Sequence, residues 1–460
     1  MIRRLINIPI PFYLVIVFLI LVGFGFVFSI RYFGGQKVYS YQFSLPQLNS
    51  SSTPLEYGGW PALANRDFFL QVKEDFITNE ASFIEADLSA MKLNVYQGGK
   101  SVLQVDIKTK GREGSWWETP AGLYKIGNKE KNHYSSFGRV YMPWSMPFQG
   151  NFFIHGWPYY KNGTPVSSDY SGGCIRLTTA DAEKVFTAAT VGMPVLVYKE
   201  EFKGDNFGLR LQSPEVQASA YLVSDLNSNF VLAENNLSDP LSIASITKLM
   251  TAAVAVEYIN MEKEITITPS MLVATSKPRL KTGQKISLYN LLPLLLMESS
   301  NEAAEAIAAF LGRSRFVDLM NHKASAIGMN KAYFKDPSGQ DAGNIASPED
   351  LFALARYLYH NRRFVLDATA GKIGHGVYGS LVYADLKNFN AFSDDERFMG
   401  GKVGKTDEAG KTMLVILNLS FGGTERPIVI ILLNTQDYIL EGKKLADWAQ
   451  AAYIPIEAEN

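Results

Sequence analysis

The feature that most constrains this fold is a change of rhythm near the middle of the chain. From Phe83 to Lys199 the sequence runs in short β-rich segments, "FIEADLS", "LNVYQGG", "SVLQVDIKT", "AGLYKIG" and "MPVLVYK", broken by Gly, Ser and Asn. One helix-like stretch, "TTADAEKVFTAAT", interrupts them. Beyond the polar "EEFKGDNFGLRLQSPE", two strand-like runs, "ASAYLVSDL" and "FVLAEN", lead into long helical patterns: "SITKLMTAAVAVEYI", "LYNLLPLLLMESSNEAAEAIAAFLG" and "SPEDLFALARYLYHN". Strands return at "KTMLVILNLS" and "RPIVIILLNT", and a last helix is expected over 437–452. One layer arrangement does not serve both rhythms, and 460 residues suffice for about three domains. The reading is multidomain: a mainly-β domain over 83–200, a linker over 201–216, and an α/β domain over 217–460 with one sheet and a separate helical cluster.

Ahead of both lies "IPIPFYLVIVFLILVGFGFVFSI", Ile8 to Ile30, which carries no charge over 23 residues. At ~1.5 Å per residue it slightly exceeds the ~30 Å hydrocarbon core. Residues 1–31 are therefore expected to be a cytoplasmic tip and single-pass transmembrane helix, with Arg3 and Arg4 holding the N-terminus inside and everything later exported. A cleaved signal peptide is the alternative, but its apolar region is usually ~7–15 residues long, and the small-x-small triplet Gly23-Phe24-Gly25 sits inside the run. Residues 32–82, with "PQLNSSSTP" at their centre, read as a spacer that carries a helix near 68–76. The net charge of −1 gives no reason to expect a polyanion partner, so no nucleic acid is expected.

The chain holds one cysteine, Cys174 in "SGGCIRL", so no internal disulfide is available to it. A catalytic cysteine needs a base, because the thiolate is the nucleophile. His155 in "FFIHGWP", at the end of a strand-like run 19 residues earlier, is the candidate. Gly172 and Gly173 let a substrate approach the backbone, and the N–H groups of Gly173 and Cys174 suit an oxyanion hole. The competing reading is a buried small hydrophobe among glycines. Two candidate ligands fall short of a zinc site, so no metal and no cofactor is expected.

"IHGWP", with fifteen residues between His155 and Ser171, then "SGGCIRL" and an acidic helix resemble the active-site signature of the YkuD-type L,D-transpeptidases. "IEADLSAMKLNVYQGGK" and "ETPAGLYKI" are similar to that family's earlier strands. The resemblance implies Cys174 as nucleophile, His155 as base with its second nitrogen held by the Gly156 carbonyl, Gly156, Ser171 and Gly173 as substrate-binding or oxyanion residues, and Arg176 as a substrate or scaffold cation. Many members carry histidine where this chain has Gly172, so no second imidazole assists here.

"SITK", Ser245 to Lys248, has the S-x-x-K form, a pattern that chance supplies about twice in such a length at ~7% Ser and ~6% Lys. It opens an apolar helix, where positions i and i+3 share a face and an amine can take the hydroxyl proton. A serine cap followed by a surface lysine is the plain alternative. "SSN", Ser299 to Asn301, lies at a polar break between apolar helices. A literal "KTG" at Lys281–Gly283 precedes "SSN" and leads into a helix, whereas Lys402-Val403-Gly404 leads into a strand after it, and the second is the better third element. "LSIASITKLMTA", "MESSNEAAEA", "GMNKAYFKDPSGQDAGN" and "GGKVGKTDEAG", in that order, resemble the D-alanyl-D-alanine carboxypeptidases, the low-molecular-mass penicillin-binding proteins. That implies Ser245 as nucleophile, Lys248 as base, Ser299 and Asn301 as relay and amide contact, and Lys402, Gly404 and Thr406 around the substrate carboxylate. Val403 stands where the family usually has threonine, which removes a hydroxyl worth ~1.5–3 kcal/mol to a charged group.

Both resemblances imply one substrate class, the peptidoglycan stem peptide, with β-lactams as covalent inhibitors. The expected function is bifunctional, a Cys-dependent L,D-transpeptidase of tetrapeptides and a Ser-dependent D,D-carboxypeptidase or endopeptidase, on the outer side of a bacterial cytoplasmic membrane. The alternatives are a peptidoglycan-binding protein with an inactive domain and a β-lactam hydrolase in the second half.

Overall fold

The computed structural model describes residues 66–455 apart from 114, 116, 200–206, 210–213 and 374–377. The expected membrane helix, the first part of the spacer and much of the linker lie outside the described residues. Among the described residues no helix is long and apolar enough to cross a membrane.

The first domain opens with helix α1, Arg66–Thr78, inside the stretch read as spacer. Phe69, Val72 and Phe76 share one face by helical spacing, and the Phe69 ring meets Tyr198 at 4.2 Å and Phe76 meets Phe83 at 4.9 Å between centroids. Glu85 is buried on the strand Phe83–Asp87 and needs a counter-charge, which Lys73 of α1 supplies at 2.8 Å. Helix α1 therefore packs onto the first domain's sheet from within the stretch read as spacer. That five-stranded sheet runs Lys100–Asp106, Lys92–Gln97, Phe83–Asp87, Pro194–Tyr198 and Gly122–Lys125, with only Phe83–Asp87 and Pro194–Tyr198 parallel. A second sheet runs Glu130–Ser135, Val140–Gln149, Phe152–His155 and Ile175–Arg176, its last pair parallel. Helix α2, Thr179–Ala188, follows at once, its first turn capped by Thr178, which accepts from Asp181 N–H.

The second domain is built on an antiparallel sheet in the order Val231–Asn235, Ala220–Asp225, Thr424–Thr435, Gly410–Phe421, Phe398–Thr406. Alternation along these strands gives the sheet two apolar faces. Leu414, Ile416, Val429 and Ile431 face the helical cluster of α3 (Thr247–Tyr258), α4 (Leu288–Leu296), α5 (Asn301–Leu311), α6 (Arg313–Ala326), α7 (Pro348–Asn361) and α8 (Arg363–Thr369). Met413, Val415 and Ile430 face the last helix, α9 (Tyr438–Ala452). The single helical pattern around "MESSN" is two helices, since Ser299 takes a left-handed φ of 58° and Ser300 caps α5 by accepting Ala303 N–H. Helix α6 is an element that no sequence pattern singled out.

The two domains meet over buried charge. The Glu257 carboxylate of α3 takes Lys323 Nζ at 3.0 Å, Arg362 Nε at 3.1 Å, the Tyr357 hydroxyl, and Gln149 Nε2 of the first domain at 2.9 Å. Arg362 also donates to Glu118 O of the first domain at 2.6 Å. Burial pushes the Glu257 carboxyl upward, and the neighbouring Lys323 and Arg362 charges more than reverse it.

Candidate active sites

The cysteine site is assembled by one parallel strand pair. Ile154 pairs with Ile175 and His155 with Arg176, so Cys174, Arg176 and His155 fall on one face by alternation. All three line one cavity, together with Gly172, Asn151 and Phe152. Cys174 is 8% exposed, its thiol directed to Asn151 O at 3.8 Å. His155 Nδ1 lies 2.6 Å from Gly156 O, so Nδ1 carries the proton and Nε2 is the free base. Burial pushes the imidazole down to about 3 and the thiol up to about 11, the latter against the nearby Phe153 backbone and Arg176 charge. The resting pair is neutral.

The loop before the cysteine is held tightly. Ser171 Oγ donates to Cys174 O at 2.5 Å and accepts from Gly173 N–H at 3.1 Å. That second bond engages one of the two N–H groups expected in an oxyanion hole. Thr119 Oγ1 donates to Gly173 O at 2.9 Å and accepts Gly111 N–H at 2.8 Å. Gly173 has φ 97°, and a Cβ there would lie 2.1 Å from the Phe152 ring, so only glycine fits. Gly172 is exposed, and nothing lies within 4 Å of where its Cβ would be. Arg176 is buried against Trp157, with its guanidinium donating to Tyr170 O at 3.2 Å. Its role here is to hold the loop as well as to carry charge beside the sulfur.

The serine site sits where a short 3-10 turn, Ala244–Ile246, enters α3. Ala244 takes φ 48°, a left-handed value that turns Ser245 toward the sheet edge. Lys248 Nζ lies 2.8 Å from Ser245 Oγ and donates to Ser338 O at 2.5 Å. Burial, and then the charge of Lys402, hold its amine well below the usual lysine value, which leaves a lone pair for the serine proton. Two glycines pack this turn: a Cβ at Gly404 would lie 2.7 Å from Ser245 N, and one at Gly339 would lie 2.0 Å from Ala244 O. Lys402 Nζ meets Asn390 Oδ1 at 3.2 Å, and burial pushes its amine down to about 7.

Lys402 and Gly404 lie on the edge strand Phe398–Thr406 and face the helical cluster, as their partners Leu414 and Thr412 do. Val403 pairs with Met413 and packs on the α9 face. The hydroxyl missing at Val403 is thus missing from the face opposite Ser245. Thr406 Oγ1 accepts Ala409 N–H at 3.1 Å in the hairpin turn. The literal "KTG" at 281–283 is a turn, with Gly283 at φ 81°.

Ser299 is set by its neighbour Glu298, whose buried carboxylate binds Arg279 at 2.5 Å and Lys277 at 2.9 Å. Asn301 is bonded to Ala274 O at 2.8 Å and Thr275 Oγ1 at 3.1 Å rather than to Ser245 or Lys248. Sequence reasoning missed Asn390, Asn151 and Thr119. It also missed Asp336, which accepts the N–H groups of Ser338, Gly339 and Asp341 and so shapes the loop under Lys248. Only the "DPSG" of that loop carried a signal, as a turn that its glycine makes possible.

Comparison with known proteins agrees with this division. Residues 81–197 match the L,D-transpeptidase catalytic domain of the YkuD family, and residues 208–425 match the D-alanyl-D-alanine carboxypeptidase family. A D-alanyl-D-alanine endopeptidase of Haemophilus influenzae is 35% identical over 227 residues, 47% of this chain and 75% of that protein. The D-alanyl-D-alanine carboxypeptidase DacC of Escherichia coli is 31% identical over 262 residues, 52% of this chain and 62% of that protein. A solved D-alanyl-D-alanine carboxypeptidase from Mycobacterium tuberculosis aligns with 54% of this chain and 97% of its own, at 24% identity and a TM-score of 0.47. The chain therefore belongs to the D-alanyl-D-alanine carboxypeptidase family and carries, ahead of that domain, a YkuD-type L,D-transpeptidase catalytic domain.

Proposed function

We propose that the chain is a bifunctional peptidoglycan-remodelling enzyme, anchored in the bacterial cytoplasmic membrane by residues 8–30 with both domains exported. The observation that carries the two activities is that each nucleophile has its own base: Lys248 Nζ 2.8 Å from Ser245 Oγ, and His155 beside Cys174 in one cavity. At the serine site, Ser245 Oγ adds to the carbonyl carbon of a D-alanyl-D-alanine bond while Lys248 takes its proton. The proton passes to the departing D-alanine amine, and water then frees the acyl group as a carboxylate. Lys402 supplies positive charge for the substrate's terminal carboxylate. β-Lactams acylate the same serine.

At the cysteine site the substrate is the tetrapeptide that remains. Cys174 sulfur adds to the carbonyl between the L-centre of the third residue and the terminal D-alanine, with His155 Nε2 moving the thiol proton to the leaving amine. A second stem's side-chain amine displaces the sulfur, which gives a 3→3 cross-link and restores the thiol. The second domain thus makes the donor that the first consumes.

Purified protein given pentapeptide stems tests this by mass spectrometry of the products. Ser245→Ala is expected to abolish cross-links from pentapeptide and leave those from tetrapeptide intact; normal cross-linking of pentapeptide by that variant overturns the relay. The endopeptidase name of the 35% identical relative favours a second reading of the serine site, cleavage of D,D cross-links. Cross-linked dimers in the same digest distinguish it, since an endopeptidase cuts them and a carboxypeptidase shortens only free pentapeptides.

A further inference from the structure

The cysteine cavity is not walled by its own domain alone. Val256 and Glu257, at the far end of the helix that begins beside Ser245, line it together with Asn151, Phe152 and Cys174. The contact extends into the backbone. Asn151, whose carbonyl receives the thiol, donates its own N–H to Glu257 O at 3.0 Å. Gly150, with φ 51°, lies so close that a Cβ there would sit 2.5 Å from Glu257 O. The Glu257 carboxylate grips Gln149 of the same turn at 2.9 Å.

A second support starts from Arg362. Its guanidinium donates to Glu118 O and stacks over the Phe152 ring at 4.7 Å. Thr119, next to Glu118, is the residue whose hydroxyl holds Gly173 O, and the Phe152 ring is what Gly173 packs against. Arg362 and Glu257 are themselves paired at 3.1 Å.

We propose that the serine domain completes the cysteine site: Glu257 and Arg362 are positioning residues for Cys174, and Val256 is a wall of its substrate cavity. This rests on the reading of Cys174 as the nucleophile. A side chain that holds a nucleophile in attack geometry acts on turnover more than on substrate binding. Buried pairs also tolerate the loss of one member poorly, so the mildest substitution matters most.

The test uses the full chain and three measurements: labelling of Ser245 by fluorescent penicillin, alkylation of Cys174 by iodoacetamide, and steady-state turnover of tetrapeptide. In Glu257→Gln and Arg362→Lys, penicillin labelling is expected to stay within about twofold, while the alkylation rate and kcat for tetrapeptide change by about tenfold with KM nearly constant. Unchanged alkylation and kcat overturn the proposal. Should either variant lose penicillin labelling, and so its fold, Gln149→Ala decides, since it removes one contact from a half-buried turn and leaves Glu257 with its other partners. About threefold slower alkylation and turnover is then expected, and wild-type values overturn the proposal. A wild-type chain that alkylates at Cys174 with this dependence yet turns over no tetrapeptide refutes the transpeptidase reading and leaves the positioning intact.

Discussion

The serine and cysteine sites are both buried, and burial acts in opposite senses on them. At Ser245 it pushes the Lys248 amine well below the usual lysine value, which favours the base form of a group that already touches the hydroxyl. At Cys174 it drives the thiol up to about 11 and the imidazole down to about 3, so neither partner is charged in the free protein. Desolvation penalises whichever form carries charge. An amine base gains from that penalty, whereas a thiolate–imidazolium pair is disfavoured by it. One site rests ready and the other rests unionised.

The widest test of this contrast removes each nucleophile in turn. Ser245→Ala should abolish penicillin labelling and Cys174→Ala should abolish tetrapeptide cross-linking, each by about a thousandfold or more, with the other activity within about twofold. Parallel assays of the two variants check it, and any cross-loss would show that the sites are not separable. The two glycines of the cysteine loop come next. Gly173→Ala forces a Cβ onto Phe152 and should cost about 1–3 kcal/mol in denaturant unfolding along with most cross-linking. Gly172→His meets no neighbour and should leave the unfolding midpoint unchanged.

The pH profiles should then separate the sites. Iodoacetamide reacts with thiolate, so alkylation of Cys174 should keep rising about tenfold per pH unit toward pH 11 instead of levelling off near the ordinary thiol value of ~8.5. Penicillin acylation of Ser245 should move the other way. Lys402, whose amine burial pushes down to about 7, is a cation below that pH and loses its pull on the ligand carboxylate above it. The second-order acylation rate should therefore decline as pH rises past about 7. The smallest effect is expected for Val403→Thr, whose side chain faces α9; less than about threefold in penicillin acylation follows, and a larger gain would show that the hydroxyl reaches the carboxylate after all.

What the sequence disclosed follows the range over which each feature is encoded. Ser245 and Lys248 are three residues apart where a 3-10 turn enters α3, and that spacing makes their contact a candidate from the sequence. His155 is a candidate partner for Cys174 from its place at a strand end, and the family resemblance strengthens it, because strand pairing across 19 residues is not written in either segment. Asn390 beside Lys402 and Thr119 behind Gly173 are tertiary partners with no local signature, and they were invisible. Helix α1 reads from the sequence as a helix within the spacer, since the buried Glu85 that it neutralises lies on a later strand. One signal was present and unused: Glu257 is a single charge inside the apolar "TAAVAVEYI", and an ionised side chain in such a helix implies a buried partner.

That same carboxylate sets a condition on recombining these parts. Glu257 and Arg362 come from the serine domain, while Gln149 and the Glu118 carbonyl that answer them come from the cysteine domain. A chimera that keeps one domain and imports the other from a relative would strand an ion in a buried seam unless the matching residue travels with it. The unit that can be moved between chains is the interlocked pair.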